Sequence, residues 1–324
     1  MAGLHGSPNV CSSAPETPKI PMNTSQYHAK DTSRCLLGSV PIHASLTLAA
    51  VVAVVGQALA DGPAARPGSW PEAQVDAWRG FRRIRFAVEG RTAWVVEPKE
   101  PAPGRPWTWC MEFPDAFTER TGVPALLEKG FHHLHLEVGN TFGSPPALRH
   151  FDAFYAVVTN AGLALRGNLV GISRGGLYAY NWAAQGPHRV ATIYGDAPVC
   201  DFKSWPGGRG AGKGSPGDWR KLVTDYGFRD EAEALRYGGN PVDQLRPLAR
   251  AGVALVHVVG DADDVVPVKE NTDLVEQRYR GLGGTIQVVR KPGVGHHPHG
   301  LDDPSPVVAF MIKHGSAQGA DRRP

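Results

Sequence analysis

Three short polar segments, each at or soon after the end of an apolar strand-like run, constrain the fold of this chain more than any other feature. Their sequences are GISRG from Gly171, GDADDVVP from Gly260 and GVGHH from Gly293, so a serine, an aspartate and a histidine follow one another along the chain. The preceding runs, 168–172, 253–259 and 285–289, have the length and composition of buried strands. Because loops at the carboxyl ends of parallel strands share one edge of a sheet, the pattern predicts an α/β fold with these groups together.

The first segment predicts a sharp turn that exposes Ser173. With 39 glycines among 324 residues, a G-x-S-x-G sequence has little weight by itself. Here a strand-like run precedes the segment and a helix-like run, 175–184, follows it. Strand, turn and helix in that order are typical of a nucleophile elbow, in which flanking glycines allow a strained serine. We therefore predict that Ser173 is a catalytic nucleophile.

The second and third segments supply candidates for an acid and a base. A serine hydroxyl attacks effectively only when a base takes its proton, and a carboxylate usually orients that base. We predict His296 as the base and Asp263 as the acid. Other residues nearby offer the same chemistry, and the spacing leaves them open as alternatives: Asp196, Asp201, Asp261 and Asp264 for the acid, and His297 and His299 for the base. The His-His-Pro-His sequence is also compatible with a metal site or a solvated loop, but we expect no metal and no cofactor.

An oxyanion formed by attack of Ser173 would need two hydrogen-bond donors. One is the backbone N–H of Arg174, directly after the nucleophile. The other is expected in the loop after the predicted strand 107–113, near Glu112, and we predict Phe113. A cation beside a nucleophile can also donate through its side chain, so the guanidinium of Arg174 is a further candidate, with a solvated arginine as the alternative.

Composition excludes several classes of protein. An apolar content of 42% and a charged content of 20% describe a globular chain, and a net charge of +3 without a run of five basic residues does not indicate a nucleic-acid partner. Neither cysteine in the predicted globular part, Cys110 or Cys200, has zinc-site spacing. We expect both to be small buried residues, although the sequence leaves open whether they pair.

The N-terminal 60 residues are predicted to be separate from the globular domain. An apolar stretch, 46–55, follows Lys30 and Arg34 and precedes Ala58-Leu59-Ala60. That order is typical of an export signal cleaved after Ala60, and the stretch is too short to span a bilayer. A buried helix is the alternative. We expect a secreted or periplasmic mature protein, beginning at Asp61, without stable membrane insertion.

The rest of the chain alternates between strand-like and helix-like runs. A hairpin, 81–88 with 91–96, is followed by strands and helices in turn, which predicts a mostly parallel sheet with helices on both faces. We predict a linker over 61–78, the domain over 79–317 and a flexible tail over 318–324. Residues 198–250, after the sixth predicted strand, are rich in glycine and tryptophan and are expected to form a loop-rich, cap-like insertion.

In the three segments that carry Ser173, Asp263 and His296, residues 80–315 resemble the α/β-hydrolase superfamily. Within it, they are most similar to secreted bacterial esterases of the acetylxylan-esterase and dienelactone-hydrolase type. The G-x-x-D-x-x-V-P turn of Gly260–Pro267 is the form that many such hydrolases carry. Gly171–Gly176 resembles the G-x-S-R-x-G elbow of glucuronoyl esterases, in which the arginine side chain joins the oxyanion hole. The chain departs from that family at Leu177, where the family has a sugar-binding lysine.

These observations predict a serine carboxylic-ester hydrolase that works through an acyl-enzyme on a small-molecule or polysaccharide ester, with ester-decorated carbohydrate as the expected substrate. We predict substrate contacts from Trp205 and Lys203 in the insertion, since aromatic faces and cations suit sugars or carboxylates, and from His297. A structural role with the tryptophans packed inward is the alternative. A serine peptidase of the prolyl-oligopeptidase type and a non-catalytic binding protein on the same scaffold are the competing functions.

Overall fold

The computed structural model describes residues 70–316, and the predicted export signal, the first half of the predicted linker (61–69) and the predicted tail lie outside the described residues. Nine strands form one sheet in the order β1-β2-β3-β5-β4-β6-β7-β8-β9. The strands are Gln74–Trp78 (β1), Phe81–Val88 (β2), Arg91–Glu97 (β3), Trp107–Glu112 (β4), His132–Leu136 (β5), Gly167–Ile172 (β6), Val190–Asp196 (β7), Ala254–Gly260 (β8) and Ile286–Lys291 (β9).

Within the described range, eight α-helices connect or cover these strands. They are Val123–Glu128 (α1), Pro145–Asn160 (α2), Gly175–Gln185 (α3), Pro216–Asp225 (α4), Glu231–Arg236 (α5), Leu245–Arg250 (α6), Thr272–Gly281 (α7) and Ser305–Gly315 (α8). No helix in the range 70–316 is long and apolar enough to cross a membrane.

The sheet changes from antiparallel to parallel along its width. β1, β2, β3 and β5 pair antiparallel in turn, whereas β4 pairs parallel with β5 and β6, and β6 through β9 are all parallel. The central strands β5 to β8 are buried at every position, as expected for a parallel sheet covered on both faces. The prediction of a mostly parallel sheet opened by an antiparallel hairpin is confirmed.

Two apolar layers hold the helices to the sheet. One is centred on Trp109, whose ring packs edge-on against the rings of Phe151, Phe154 and Trp182. The distances between ring centroids are 5.1, 4.9 and 5.2 Å. This layer joins β4 to α2 and α3. The other lies beneath α8, where Val307 and Met311 are fully buried against the opposite face of the strands. The carboxyl ends of the parallel strands are thereby held in fixed positions.

Two details differ from the sequence prediction. β1 is an additional strand within the predicted linker, and the insertion after β7, although mostly loop as predicted, also contains the short helices α4, α5 and α6. The insertion has its own aromatic cluster, in which Phe202 packs against Trp219, Tyr226 and Tyr237 with centroid distances of 5.3 to 6.0 Å. Cys110 and Cys200 are both free and buried.

Candidate active site

Ser173 lies in a strained turn between β6 and α3. Its φ angle is 52°, in the left-handed region that non-glycine residues rarely adopt. The turn is held from the end of β7, since the Ser173 N–H donates to the Asp196 carbonyl at 2.8 Å and the Ser173 carbonyl accepts from the Val199 N–H at 2.9 Å. The surrounding backbone therefore imposes this conformation on Ser173.

The glycines around this turn are required by close backbone contacts. A Cβ on Gly171 would lie 2.8 Å from the Gly175 carbonyl oxygen, where α3 begins directly above the strand. A Cβ on Gly176 would lie 2.7 Å from both Pro198 Cβ and the Val199 carbonyl oxygen. Strand, helix and the loop after β7 thus meet too closely for larger residues.

The structure brings Ser173, His296 and Asp263 together in one hydrogen-bonded chain. Ser173 Oγ is 2.9 Å from His296 Nε2, and His296 Nδ1 is 2.7 Å from Asp263 Oδ2. An ionised carboxylate only accepts hydrogen bonds, so Nδ1 carries the imidazole proton and Nε2 is left to accept from the serine hydroxyl. Asp263 Oδ1 also accepts from the backbone N–H groups of Val265 and Val266 at 3.0 and 2.8 Å.

Backbone contacts between the loops after β8 and β9 fix the position of Asp263 relative to His296. Ala262 donates its N–H to the Val294 carbonyl at 3.0 Å, and a Cβ on Gly260 would lie 2.1 Å from the same oxygen. Asp263 and His296 are 7% and 8% exposed, so water competes little for their hydrogen bond.

The backbone N–H groups of Arg174 and Phe113, the two residues predicted to stabilise an oxyanion, have no hydrogen-bond acceptor among residues 70–316. Phe113 directly follows β4 and has a φ angle of 60°, which turns the chain sharply at the end of the strand. Arg174 is the residue before α3, so its N–H is also one of the unpaired donors at the start of that helix.

The side chain of Arg174 is engaged with the β4 end of the site. Its Nε and Nη2 both donate to Glu112 Oε1, and its guanidinium carbon lies 4.7 Å from the centroid of the Phe113 ring. Burial raises the pKa of the Glu112 carboxyl, and the guanidinium of Arg174 opposes that rise. The sequence places Glu112 near the predicted oxyanion site but carries no signal that it pairs with Arg174.

A second acid–histidine pair lies beside the first. His299 Nδ1 is 2.8 Å from Asp196 Oδ1, and both side chains are almost completely buried. Asp196, one of the alternative acids, therefore does not contact His296 but pairs with the alternative base His299. The one sequence feature that pointed to this pair is the position of Asp196 at the end of a predicted strand.

His297, a predicted substrate contact, is exposed next to His296. The two rings have centroids 5.0 Å apart, and the His297 ring stacks on Phe117 at 6.0 Å. Partial burial lowers the pKa of His297, with smaller contributions from the neighbouring imidazoles of His299 and His296. One nitrogen from each of these three histidines lies within 4.8 Å of the others, which makes them the residues of this site that could hold a metal ion.

The two insertion residues predicted to bind substrate, Lys203 and Trp205, make contacts within the protein. The Lys203 amine donates to the Tyr237 carbonyl at 3.0 Å, and the half-buried Trp205 ring packs 6.3 Å from Phe142. No hydrogen bond, ion pair or ring contact joins either side chain to Ser173 or His296 within the described part of the chain. Trp219 is also packed inward, with 7% of its surface exposed.

No family model matches the chain, and no curated protein matches it in sequence. Among solved structures, it is similar to a puromycin-hydrolyzing peptidase of Mycobacterium tuberculosis, with a TM-score of 0.56 and 14% identity over 75% of this chain, which spans only 40% of the peptidase. It is also similar to acetyl xylan esterase 1 of Thermoanaerobacterium sp., with a TM-score of 0.50 and 16% identity over 75% of this chain and 88% of that chain. A third similar structure is an S-formylglutathione hydrolase of Agrobacterium tumefaciens, with a TM-score of 0.50 and 16% identity over 76% of this chain and 97% of that chain.

Proposed function

The described domain, Trp70–Ser316, has the α/β-hydrolase fold, and we propose that it is a serine hydrolase of carboxylic esters. The observation that carries the proposal is the hydrogen-bonded chain Ser173–His296–Asp263, with distances of 2.9 and 2.7 Å. The backbone N–H groups of Phe113 and Arg174, which have no acceptor among residues 70–316, support it. Fold alone does not define an activity, so the proposal depends on these groups and their geometry.

The reaction would proceed in two steps through an acyl-enzyme. In the first, Ser173 Oγ bonds to the ester carbonyl carbon while its proton passes to His296 Nε2. The carbonyl oxygen becomes an oxyanion that accepts from the N–H groups of Phe113 and Arg174. When the C–O bond to the alcohol breaks, the imidazolium returns its proton to the departing alkoxide. Asp263 stabilises the imidazolium and holds its orientation throughout.

In the second step, water takes the place of the alcohol. His296 removes a proton from a water molecule as its oxygen attacks the acyl carbon, and the oxyanion forms again at the same two N–H groups. The bond to Ser173 Oγ then breaks, and the imidazolium returns the proton to the serine. The carboxylic acid leaves, so the enzyme is regenerated with no cofactor.

For the substrate class, we propose an ester-decorated carbohydrate, with acetyl and uronate esters as candidates. The structural similarity to an acetyl xylan esterase supports this choice as an analogy only. No hydrogen bond, ion pair or ring contact joins Lys203 or Trp205 to Ser173 or His296 in the described part of the chain. The exposed His297, next to His296, and the half-buried Phe117, on which it stacks, are therefore the candidate contacts nearest the triad. A peptidase is the second candidate, because the structural similarity to the mycobacterial peptidase has the higher TM-score of 0.56.

The proposal is tested first by covalent labelling. A fluorophosphonate should label the full chain at Ser173, and a Ser173→Ala variant should lose labelling and about 10⁴-fold or more in ester turnover while keeping its melting temperature. Ser305→Ala, at an exposed serine, is the matched control and should behave as the parent protein. Normal labelling of the Ser173→Ala variant would refute the assignment of the nucleophile.

A substrate panel then distinguishes the candidates. Acetylated sugars, glucuronate esters and peptide arylamides should be compared by kcat/KM. We expect a higher kcat/KM for the two kinds of ester than for the arylamides. Faster cleavage of arylamides would favour the peptidase. If the protein is labelled but hydrolyses none of the carbohydrate esters, the assignment of Ser173 as nucleophile stands and the carbohydrate substrate does not.

We further propose that the protein is exported and cleaved after Ala60. The apolar stretch 46–55 and the Ala58-Leu59-Ala60 sequence support this proposal, and both lie outside the described residues. N-terminal sequencing of exported protein should begin at Asp61. Exported protein that retains Met1 or Met22 at its N-terminus would contradict cleavage.

A further inference from the structure

The pair formed by Asp196 and His299 has no task in the proposed reaction. Both side chains are almost completely buried, at 0% and 3% exposure, in a region where a charged group is costly unless it is well paired. Asp196 is fully paired: Oδ1 faces His299, while Oδ2 accepts from the Tyr194 hydroxyl and, at 2.8 Å, from the Gly300 N–H. The hydrogen bonds of Asp196 therefore fix the orientation of the His299 ring, although this pair takes no part in the proposed reaction.

The pair repeats the geometry of Asp263 and His296. In both, a buried carboxylate holds Nδ1, at 2.8 Å for His299 and 2.7 Å for His296, so that Nε2 is the nitrogen presented to other groups. No described residue hydrogen-bonds to Nε2 of His299. A carboxylate on one ring nitrogen with the other nitrogen free is the arrangement that orients histidine ligands of zinc and raises their basicity.

His297 completes a triangle with these two rings. The centroid distances are 5.0 Å for His296–His297, 4.9 Å for His296–His299 and 4.7 Å for His297–His299. One nitrogen from each ring lies within 4.8 Å of the others. Bonds of about 2.0–2.1 Å to a tetrahedral Zn²⁺ place ligand nitrogens about 3.4 Å apart, so the triangle must contract by about 1.4 Å at most. The exposed His297 side chain is free to supply most of that movement.

We propose that His296, His297 and His299 bind a Zn²⁺-class transition-metal ion, and that the bound ion switches off the nucleophile. Neutral imidazoles are good ligands for such ions, and three histidines leave a fourth position open. The ion would take the Nε2 lone pair of His296, which otherwise accepts from Ser173 Oγ at 2.9 Å. Ser173 would then have no base, so hydrolysis would stop without loss of any proton from the protein.

The inhibitory half of this inference rests on the proposed function, but metal binding can be measured without it. The experiment is an equilibrium titration of the full, chelator-treated chain with Zn²⁺, and with Co²⁺ as a spectroscopic probe of tetrahedral nitrogen ligation. Ester turnover and fluorophosphonate labelling are followed over the same free-ion concentrations. We expect one site whose occupancy matches the loss of both turnover and labelling, and full recovery on addition of a chelator.

Two histidine variants locate the site, and a third serves as the control. His297→Gln changes an exposed residue, and His299→Gln keeps a side-chain amide that can donate to Asp196 but has no imidazole nitrogen. Each should weaken Zn²⁺ binding by about 100-fold or more, because even an outer partner of a ligand is worth about 10- to 100-fold. His188→Gln, at an exposed histidine outside the triangle, is the matched control and should bind as the parent chain does.

Failure of this inference is distinguishable from failure of the proposed function. An active esterase whose Zn²⁺ affinity is unchanged in both the His297→Gln and His299→Gln variants would overturn the metal site and leave the hydrolase intact. Unchanged or faster turnover with bound Zn²⁺ would overturn the inhibitory role. A parent protein that has no hydrolytic activity and no fluorophosphonate labelling, but binds Zn²⁺ more tightly than its His297→Gln and His299→Gln variants, would support the site and refute the function.

Discussion

The side chain of Arg174 donates two hydrogen bonds, of 3.1 and 2.8 Å, to a single oxygen of Glu112. The two residues are far apart in sequence. Arg174 supplies one of the two N–H groups proposed to bind the oxyanion, and Glu112 adjoins the residue that supplies the other. Glu112 precedes Phe113, and the Arg174 guanidinium lies over the Phe113 ring. The pair therefore ties the end of β4 to the start of α3, so that the spacing between the two N–H groups depends on it.

The first prediction concerns this pair. Arg174→Ala keeps the backbone N–H at position 174 but frees the end of β4, so kcat should fall by about 10- to 100-fold with little change in KM. The variant also leaves the largely buried Glu112 carboxyl without its cation, at a cost of roughly 2–3 kcal/mol in the free energy of unfolding.

A double variant separates these effects. Glu112→Gln removes the unpaired charge, so Arg174→Ala/Glu112→Gln should recover much of the lost stability in urea denaturation without recovering kcat. If Arg174 instead holds a substrate carboxylate, Arg174→Ala should raise KM for uronate esters and leave acetyl esters unaffected. Parental kinetics on both kinds of ester would show that the side chain has neither role.

The second prediction concerns the acid of the site. Asp263→Asn should reduce kcat by about 10⁴-fold, because the amide no longer selects the tautomer of His296 that accepts from Ser173. Asp264→Asn is the matched control, since Asp264 is exposed and pairs with Lys213 at 2.9 Å, and it should leave kcat within about 2-fold of the parent.

Asp196→Asn should affect stability more than the chemical step. Asp196 is fully buried and accepts from three donors, so the variant disturbs a paired buried charge and should lower the free energy of unfolding by roughly 3–5 kcal/mol. Steady-state kinetics and urea denaturation on the three Asn variants decide between the acids. A larger loss of kcat in folded Asp196→Asn than in Asp263→Asn would transfer the role to Asp196.

The third prediction is a loss of stability in mild acid. Burial lowers the pKa of His132 to about 4 and those of His133 and His257 to about 3, from an ordinary value of 6.5. Below pH 6.5 the unfolded chain therefore binds protons that the folded chain does not, so the free energy of unfolding decreases as the pH falls. From pH 7 to 5.5 the three groups together should remove about 3–4 kcal/mol.

Urea denaturation at several pH values measures this dependence. His257→Gln should reduce the change between pH 7 and 5.5 by about 1 kcal/mol, since one of the three groups is gone. His188→Gln, at an exposed position, should leave the pH dependence unaltered. An equal or greater stability of the parent protein at pH 5.5 would contradict the burial of neutral histidines.

The fourth prediction tests the close contacts of the turn at Ser173. Gly176→Ala places a methyl group 2.7 Å from Pro198 Cβ and from the Val199 carbonyl oxygen, so either α3 or the loop after β7 must move. We expect a loss of roughly 1–3 kcal/mol in stability and a fall in kcat of about 10-fold or more. Gly217→Ala, where a Cβ meets nothing within 4 Å, is the control. A Gly176→Ala variant with parental kcat would show that the turn tolerates displacement.

Features with a local pattern were predictable from the sequence. Burial on both faces leaves central strands with continuous apolar runs, and turns at their ends need glycine or short polar residues, so β6, β8 and β9 were recognised with bounds within two residues of those observed. The strand–turn–helix order at Ser173 is equally local. β1 escaped recognition because four of its five residues are exposed, and an exposed edge strand carries no apolar period.

The amino-acid sequence by itself thus determined the order of the strands along the chain and which polar groups lie at their carboxyl ends. Only the tertiary structure decided the partners of those groups. Arg174 pairs with Glu112, Asp196 pairs with His299, and the Lys203 amine donates to the Tyr237 carbonyl. The physical reason is that strand and helix patterns arise between neighbours in sequence, whereas a side-chain contact depends on chain segments that packing alone brings together.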